Sequence, residues 1–243
     1  MRPMTLLRAW LRHPAGASAW PSQCLICRRW PAQTLCAECR ARFAPQLTRC
    51  QRCALAVPAG VAVCGACLRE PPPMAQCLAA VSWQWPWSMC IGRWKFEGDT
   101  GLSGPLAALL QATPGVAEAL AAAELLLPMP MSDQRLAERG YNPALLLARR
   151  LAPGRVQPGW LLRTRHTPPQ RGLPRAERLR NVRGAFQVDP LAAGRLRGRR
   201  VLLVDDVMTT GASVREAAAT LRAAGADPVG VLVLARTDEP TTH

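Results

Sequence analysis

The chain has 243 residues, 49% hydrophobic and 19% charged, with a formal net charge of +15 at pH 7. This apolar content excludes fibrous and wholly disordered readings, and no uninterrupted apolar run approaches the roughly 20 residues of a membrane span. The charge suits nucleic acid, a phosphorylated metabolite or an acidic partner, and does not choose among them. Residues 1–23 carry Arg2, Arg8 and Arg12 on a weakly apolar background. That pattern argues against a secretory leader and gives the expectation of a cytoplasmic protein.

Eight of the ten cysteines form four pairs: Cys24 and Cys27, Cys36 and Cys39, Cys50 and Cys53, Cys64 and Cys67. Each pair is a CxxC, and the pairs are separated by 8, 10 and 10 residues. Two residues between thiolates let both wrap one tetrahedral ion, and the short loops return the chain to it. Four such units predict two structural Zn²⁺ sites; a redox dithiol would need one or two pairs beside an αβ unit. Sequential pairing into two ribbons is favoured by the short returns, with a cross-brace as the alternative. Cys77 and Cys90 fall outside the pattern and read as small buried hydrophobes. Residues 24–69, within an expected zinc module over 20–70, hold few large aliphatics, so metal must supply their folding energy, of order 10 kcal/mol per site. Three prolines at 71–73 mark a break before a second domain over 78–240.

In that domain, Trp83, Trp85 and Trp87 alternate within an apolar stretch over 78–89, which predicts a strand with the rings on one face. Pro86 restricts it to an edge. Such rings close a core or, if exposed, stack on bases. Residues 91–96 suggest a second strand, 97–99 a turn, and 102–110 and 116–123 helices. A buried strand ending in a rigid, proline-bounded loop is predicted over 124–131. Arg135, Arg139, Gly140 and Tyr141 follow, then a helix over 143–151 with Pro143 in its first turn. The Arg-rich connection over 163–183 is long enough to be functional. A strand resumes at 186–188. Residues 200–206 suit a central parallel strand, and 207–213 a turn. A helix over 214–224 and a strand over 229–234 then complete a βαβ unit.

Asp205 and Asp206 leave the carboxyl end of this central strand, where ligands of open α/β sheets bind. Thr209, Thr210, Gly211 and Ser213 can then cup an anion: hydroxyls donate, Gly211 permits close backbone approach, and the next helix adds amides. Carboxylates beside a phosphate cup suit ribose hydroxyls or a Mg²⁺-bound polyphosphate. The rival sites lack their motifs: no GxxxxGK[ST] and no dinucleotide glycine fingerprint occurs. A phosphoacceptor pair leaves the Thr-Thr-Gly cup unexplained.

The run Val201-Leu-Leu-Val-Asp205-Asp206-Val-Met-Thr209-Thr210-Gly211-Ala-Ser213 closely resembles the phosphoribosyl-diphosphate motif of type I phosphoribosyltransferases. With the cysteine pairs, Lys95-Phe-Glu-Gly-Asp99, Leu127-Pro-Met-Pro130, Arg135-Leu-Ala-Glu-Arg139-Gly-Tyr-Asn142 and residues 165–186, the chain resembles the ComF/GntX family over about residues 20–235. The resemblance implies an α/β fold, a type I phosphoribosyltransferase-like parallel sheet with helices on both faces, preceded by a small N-terminal double zinc-ribbon module.

It further implies that Asp205 and Asp206 bind the ribose hydroxyls, and that Thr209, Thr210, Gly211, Ala212 and Ser213 bind the 5′-phosphate. Residues 130–139, with Arg135 and Arg139, resemble the diphosphate-binding region, with Asn142 orienting it. Residues 165–181 resemble a lid over the reacting ring. Implied cofactors are two structural Zn²⁺ and Mg²⁺ with phosphoribosyl diphosphate. The implied activity is phosphoribosyl transfer to a nitrogen acceptor. The alternative is a nucleotide-sensing accessory of competence-related DNA uptake, its zinc module contacting a helicase partner or, weakly and non-specifically, single-stranded DNA. His166, in the lid, reads as a solvated loop residue.

Overall fold

The computed structural model describes residues 22–165 and 182–238, and its contacts divide the chain into two units at Ala44 and Pro45. In the first unit the chain turns sharply after Cys27. Arg28 adopts φ 63° and its N–H donates to the Cys24 carbonyl at 2.9 Å. Ser22 and Ala32 close an antiparallel bridge, and Cys36 is the N-cap of helix α1 (Ala37–Phe43). Cys24, Cys36 and Cys39 pack with Ile26, Ala32 and Phe43 as a small separate core.

The second unit opens with the same device. Ala54 adopts φ 56°, its N–H donates to the Cys50 carbonyl at 2.8 Å, Arg49 pairs with Ala56 in an antiparallel bridge, and Cys64 occupies the N-cap position of helix α2 (Gly65–Arg69) without a side-chain capping bond. A left-handed non-glycine residue costs on the order of 1 kcal/mol, and both repeats place it directly after a CxxC. The second repeat has no core of its own: Cys50, Cys53, Cys64 and Cys67 are buried in one cluster with Met74, Cys77, Leu203 and Met208. The contact boundary falls between the two cysteine repeats.

The described residues of this unit hold strands β1 (Gln76–Ser82), β2 (Leu125–Pro128), β3 (Leu161–Arg163), β4 (Phe186–Val188), β5 (Val201–Met208) and β6 (Val229–Arg236). Four form a parallel sheet in the order β1-β6-β5-β2, while β3 and β4 form an antiparallel pair. Every residue of β6 is buried. Successive side chains point to opposite faces, so both faces of the sheet are covered there. Helix α4 (Ser103–Gln111) packs on β1 and β6, and is followed by α5 (Val116–Ala122); α7 (Pro143–Leu151) packs on β2, β5 and α4. After α8 (Pro190–Leu196), helix α9 (Ala212–Ala223) packs on β5 and β6. Helix α7 has the predicted bounds, with Asn142 accepting from the Leu145 N–H as its N-cap. Cys77 and Cys90 are buried, as expected of small hydrophobes.

Three expectations are corrected. Residues 87–96 form helix α3 (Trp87–Phe96), not a strand, because Trp87, Cys90, Ile91 and Trp94 lie one helical turn apart and form its buried face. Trp83, Trp85 and Trp87 consequently share no strand face: Trp83 follows β1, Trp85 is 62% exposed, and Trp87 is fully buried. Strand β5 runs on to Met208, so Asp205 and Asp206 lie within it, because pairing with β6 continues to Met208 and Arg236. Residues 166–181, which include His166 and most of the expected lid, lie outside the described residues.

Candidate functional site

The eight predicted cysteine ligands fall into two groups, Cys24, Cys27, Cys36, Cys39 and Cys50, Cys53, Cys64, Cys67, with the sulfurs of each group within 4.8 Å of one another. This is the sequential arrangement. Cys27 Sγ lies 3.8 Å from Cys36 Sγ, and Cys53 Sγ 3.7 Å from Cys64 Sγ. A tetrahedron with Zn–S distances of about 2.3 Å has edges of about 3.8 Å, so the donor sets fit zinc and could hold it. Backbone amides support the charge. Against the desolvation of burial, the amides of Cys36, Cys27 and Ile26 lower the Cys24 thiol to about 6. Those of Cys64, Arg52 and Cys53 likewise lower Cys50 to about 7.

A cleft of about 960 Å³ opens at the carboxyl ends of the strands, within the range of small-molecule sites. Its lining includes Asp205, Asp206, Thr209, Gly211, Ala212 and Ser213, together with Arg135 and Arg139. Sequence reasoning placed these residues in one site, and the fold brings them together. Thr210 stands in the same turn, where its Oγ1 accepts from the Ala212 N–H at 3.4 Å. Gly211 adopts φ +79°, and a Cβ there would lie 3.1 Å from Met208 Cε. The turn thus favours glycine for its positive φ, and the tip of Met208 would have to shift slightly for any side chain. Gly211 is also the N-cap of α9 and supplies no capping side chain, which leaves the helix start facing the cleft.

The acidic pair has a specific cationic partner. Lys95 Nζ reaches Asp206 Oδ2 at 2.9 Å, with both side chains largely buried. Lys95 comes from the last turn of α3. Asp205 Oδ1 accepts from the Asp206 N–H at 2.8 Å. Desolvation, then the neighbouring Asp206 charge, push the Asp205 carboxyl up to about 7, with Lys95 opposing.

Arg135 and Arg139 lie on helix α6 (Asp133–Arg139), not on a loop, and Gly140 ends that helix at φ 78°. Arg139 stands over the Phe96 ring at 5.2 Å. Two hydrogen bonds position this wall. Tyr141 OH donates to the Trp94 carbonyl, and Asn142 Nδ2 donates to the Met129 carbonyl at 3.0 Å. Arg163, at the end of β3, also lines the cleft. Burial and then Arg135 lower it, against the pull of Asp205.

Sequence reasoning gave no role to Lys95, Arg163 or Arg236. Lys95 carried a signal as the single lysine among 31 cationic residues. Arg163 and Arg236 carried none, standing among many arginines.

A family model described as phosphoribosyl transferase domain matches residues 138–243, which include the acidic pair and the turn. Competence protein F of Haemophilus influenzae is 30% identical over 223 residues, covering 88% of this chain and 96% of that protein. DNA utilization protein YhgH of Escherichia coli is 31% identical over 238 residues, covering 89% and 98%. An orotate phosphoribosyltransferase of Xanthomonas campestris is 41% identical over 63 residues, covering 26% of this chain and 29% of that enzyme. The near full-length similarity, the phosphoribosyltransferase domain and the paired four-cysteine groups agree, and the chain belongs to the ComF/GntX family.

Proposed function

We propose that the cleft binds phosphoribosyl diphosphate with Mg²⁺ and transfers the phosphoribosyl group to a nitrogen acceptor, and that each four-cysteine group holds one structural Zn²⁺. The observation that carries this reading is the acidic pair on β5 in the same cleft as the Thr209–Ser213 turn and two arginines of α6. A carboxylate pair beside an anion cup suits a ligand that joins a diol to a phosphate. In this reading Asp205 and Asp206 accept hydrogen bonds from the ribose hydroxyls, and residues 209–213 surround the 5′-phosphate with amides and hydroxyls. Arg135 and Arg139 face the diphosphate.

In the transfer, the bond from ribose C1 to the diphosphate oxygen breaks and its electron pair leaves with diphosphate. The acceptor nitrogen forms the new bond to C1 and gives up a proton to the leaving diphosphate or to water. Positive charge develops on the ring and negative charge on the leaving oxygen, so preorganised charge matters more than a dedicated base. Mg²⁺, when bound beside Asp205 and Asp206, would neutralise charge on the diphosphate. Lys95 holds Asp206 in place before the ligand arrives. The test is calorimetric titration with phosphoribosyl diphosphate and Mg²⁺, followed by a screen of nitrogen acceptors for diphosphate release. Unchanged affinity in a double variant with Asp205→Asn and Asp206→Asn would place the ligand elsewhere.

The names of the long relatives, competence protein F and DNA utilization protein, support a second reading, in which a ligand-sensing pocket serves DNA uptake through a protein partner. Binding of phosphoribosyl diphosphate without release of diphosphate to any acceptor would favour it.

A further inference from the structure

Arg236, the last residue of β6, is 6% exposed. Its guanidinium serves two regions at once. Nε donates to the carbonyl of Cys53, a member of the second four-cysteine group, at 3.0 Å. Nη1 donates to the carbonyls of Met208 at 3.2 Å, of Thr237 at 2.5 Å, and of Thr209, the first residue of the turn. Buried charge is tolerated only where such partners surround it.

The same cysteine knuckle is fixed to the sheet ends by further bonds. Arg49 donates to the Ala54 carbonyl at 2.9 Å and to Ser82 Oγ at 3.0 Å. It also lies 3.6 Å from Asp238, which accepts from Ser82 Oγ and from the Ala56 N–H. The Cys77 N–H donates to Gln51 at 2.9 Å. A four-thiolate zinc centre carries a net charge of about −2, so the buried guanidinium of Arg236 and the partly buried one of Arg49 beside its knuckle are electrostatically matched to the loaded site.

We propose that Arg236 is a positioning residue that makes the geometry of the Thr209–Ser213 turn depend on metal in the second four-cysteine site, so that loss of this zinc disables the pocket. The consequence for ligand rests on the reading of that turn as a phosphate cradle; the coupling itself does not. Without metal, the knuckle around Cys50–Ala54 loses the constraint that holds its strained turn, and the Cys53 carbonyl no longer anchors Nε. The guanidinium then loses its fixed position under Met208 and Thr209. The first four-cysteine group has a small core of its own.

The coupling is read by hydrogen–deuterium exchange of residues 207–214 in the full chain, with zinc counted by native mass spectrometry. Cys64→Ser and Arg236→Met should each accelerate exchange of the turn amides about tenfold. Cys24→Ser should leave them unchanged, and Arg236→Lys should fall between wild type and Arg236→Met. Arg236→Met should do this while keeping both zinc ions, which separates positioning from metal binding. If Cys64→Ser does not fold, the same exchange measurement on wild type partly stripped of zinc by a chelator replaces it, and unchanged exchange of the turn after loss of the second zinc overturns the proposal. Wild-type exchange in Arg236→Met, or equal acceleration from Cys24→Ser, would overturn the proposal. Titration of wild type with phosphoribosyl diphosphate keeps the two ideas apart: intact coupling without ligand binding overturns only the phosphoribosyl reading.

Discussion

The two four-cysteine repeats share one local design and differ in what surrounds it. In both, a CxxC is followed by a left-handed residue, Arg28 or Ala54, and the third cysteine occupies the N-cap position of a short helix. The first repeat closes on a core of six residues. The second is buried in the main cluster with Met208 and Leu203 of β5 and Val231 of β6, and its Cys53 carbonyl is held by Arg236. The same chelating pattern therefore has a small core of its own in one place and shares the main core in the other. Context, not motif, decides what a metal site does.

The sharpest way to break this comparison is to empty each site in turn. Cys64→Ser should lower the main calorimetric transition by roughly 10 °C or more, since a structural zinc site contributes several kcal/mol and each kcal/mol shifts a domain of this size by about 2–4 °C. Cys24→Ser should leave that transition within about 2 °C and unfold only its own repeat. Elemental analysis of the wild type should give two Zn per chain. Equal shifts in both variants would erase the distinction.

Smaller effects belong to the cleft. Asp205→Asn and Asp206→Asn should each weaken phosphoribosyl diphosphate by roughly 1.5–3 kcal/mol, as loss of charged hydrogen-bond acceptors does. Isothermal calorimetry checks this. Neither variant should release zinc, which keeps the pocket and the second four-cysteine site separable.

Asp205 also sets a pH dependence. Its carboxyl is raised from 3.8 to about 7, so the folded chain holds this proton more tightly than the unfolded chain. The associated stability is complete below about pH 4 and is lost as pH rises to about 7. Between these values the unfolding free energy should fall in wild type, and the fall should be smaller in Asp205→Asn. Ligand affinity should run the other way, rising towards pH 7 as the acceptor ionises. Denaturant titrations at four or more pH values test the first slope.

The smallest effect concerns DNA. Trp87 is fully buried while Trp85 is exposed, so the three rings do not form one exposed stacking face. Fluorescence anisotropy should find weak binding to single and double strands alike, falling steeply with salt. A clear single-strand preference that resists salt would sink this expectation.

Sequence alone determined what is local. CxxC spacing sets chelation because both ligands lie within one turn of backbone, and the donor sets emerged as read. The apolar run before Asp205 and the Thr-Thr-Gly turn likewise specify strand, turn and helix without distant help. Helix α3 was legible too, in Trp87, Cys90, Ile91 and Trp94 with Pro86 just before its start, but the alternating tryptophans offered a competing period of two. Tertiary structure decided the rest. Lys95 meets Asp206 across 111 positions of sequence, and Arg236 meets Cys53 across 183. Nothing in the neighbours of either residue encodes its partner. Only the β1-β6-β5-β2 strand order carries β6 to the end of β5 and the second cysteine knuckle, and so singles out one arginine from many that the sequence presents as equals.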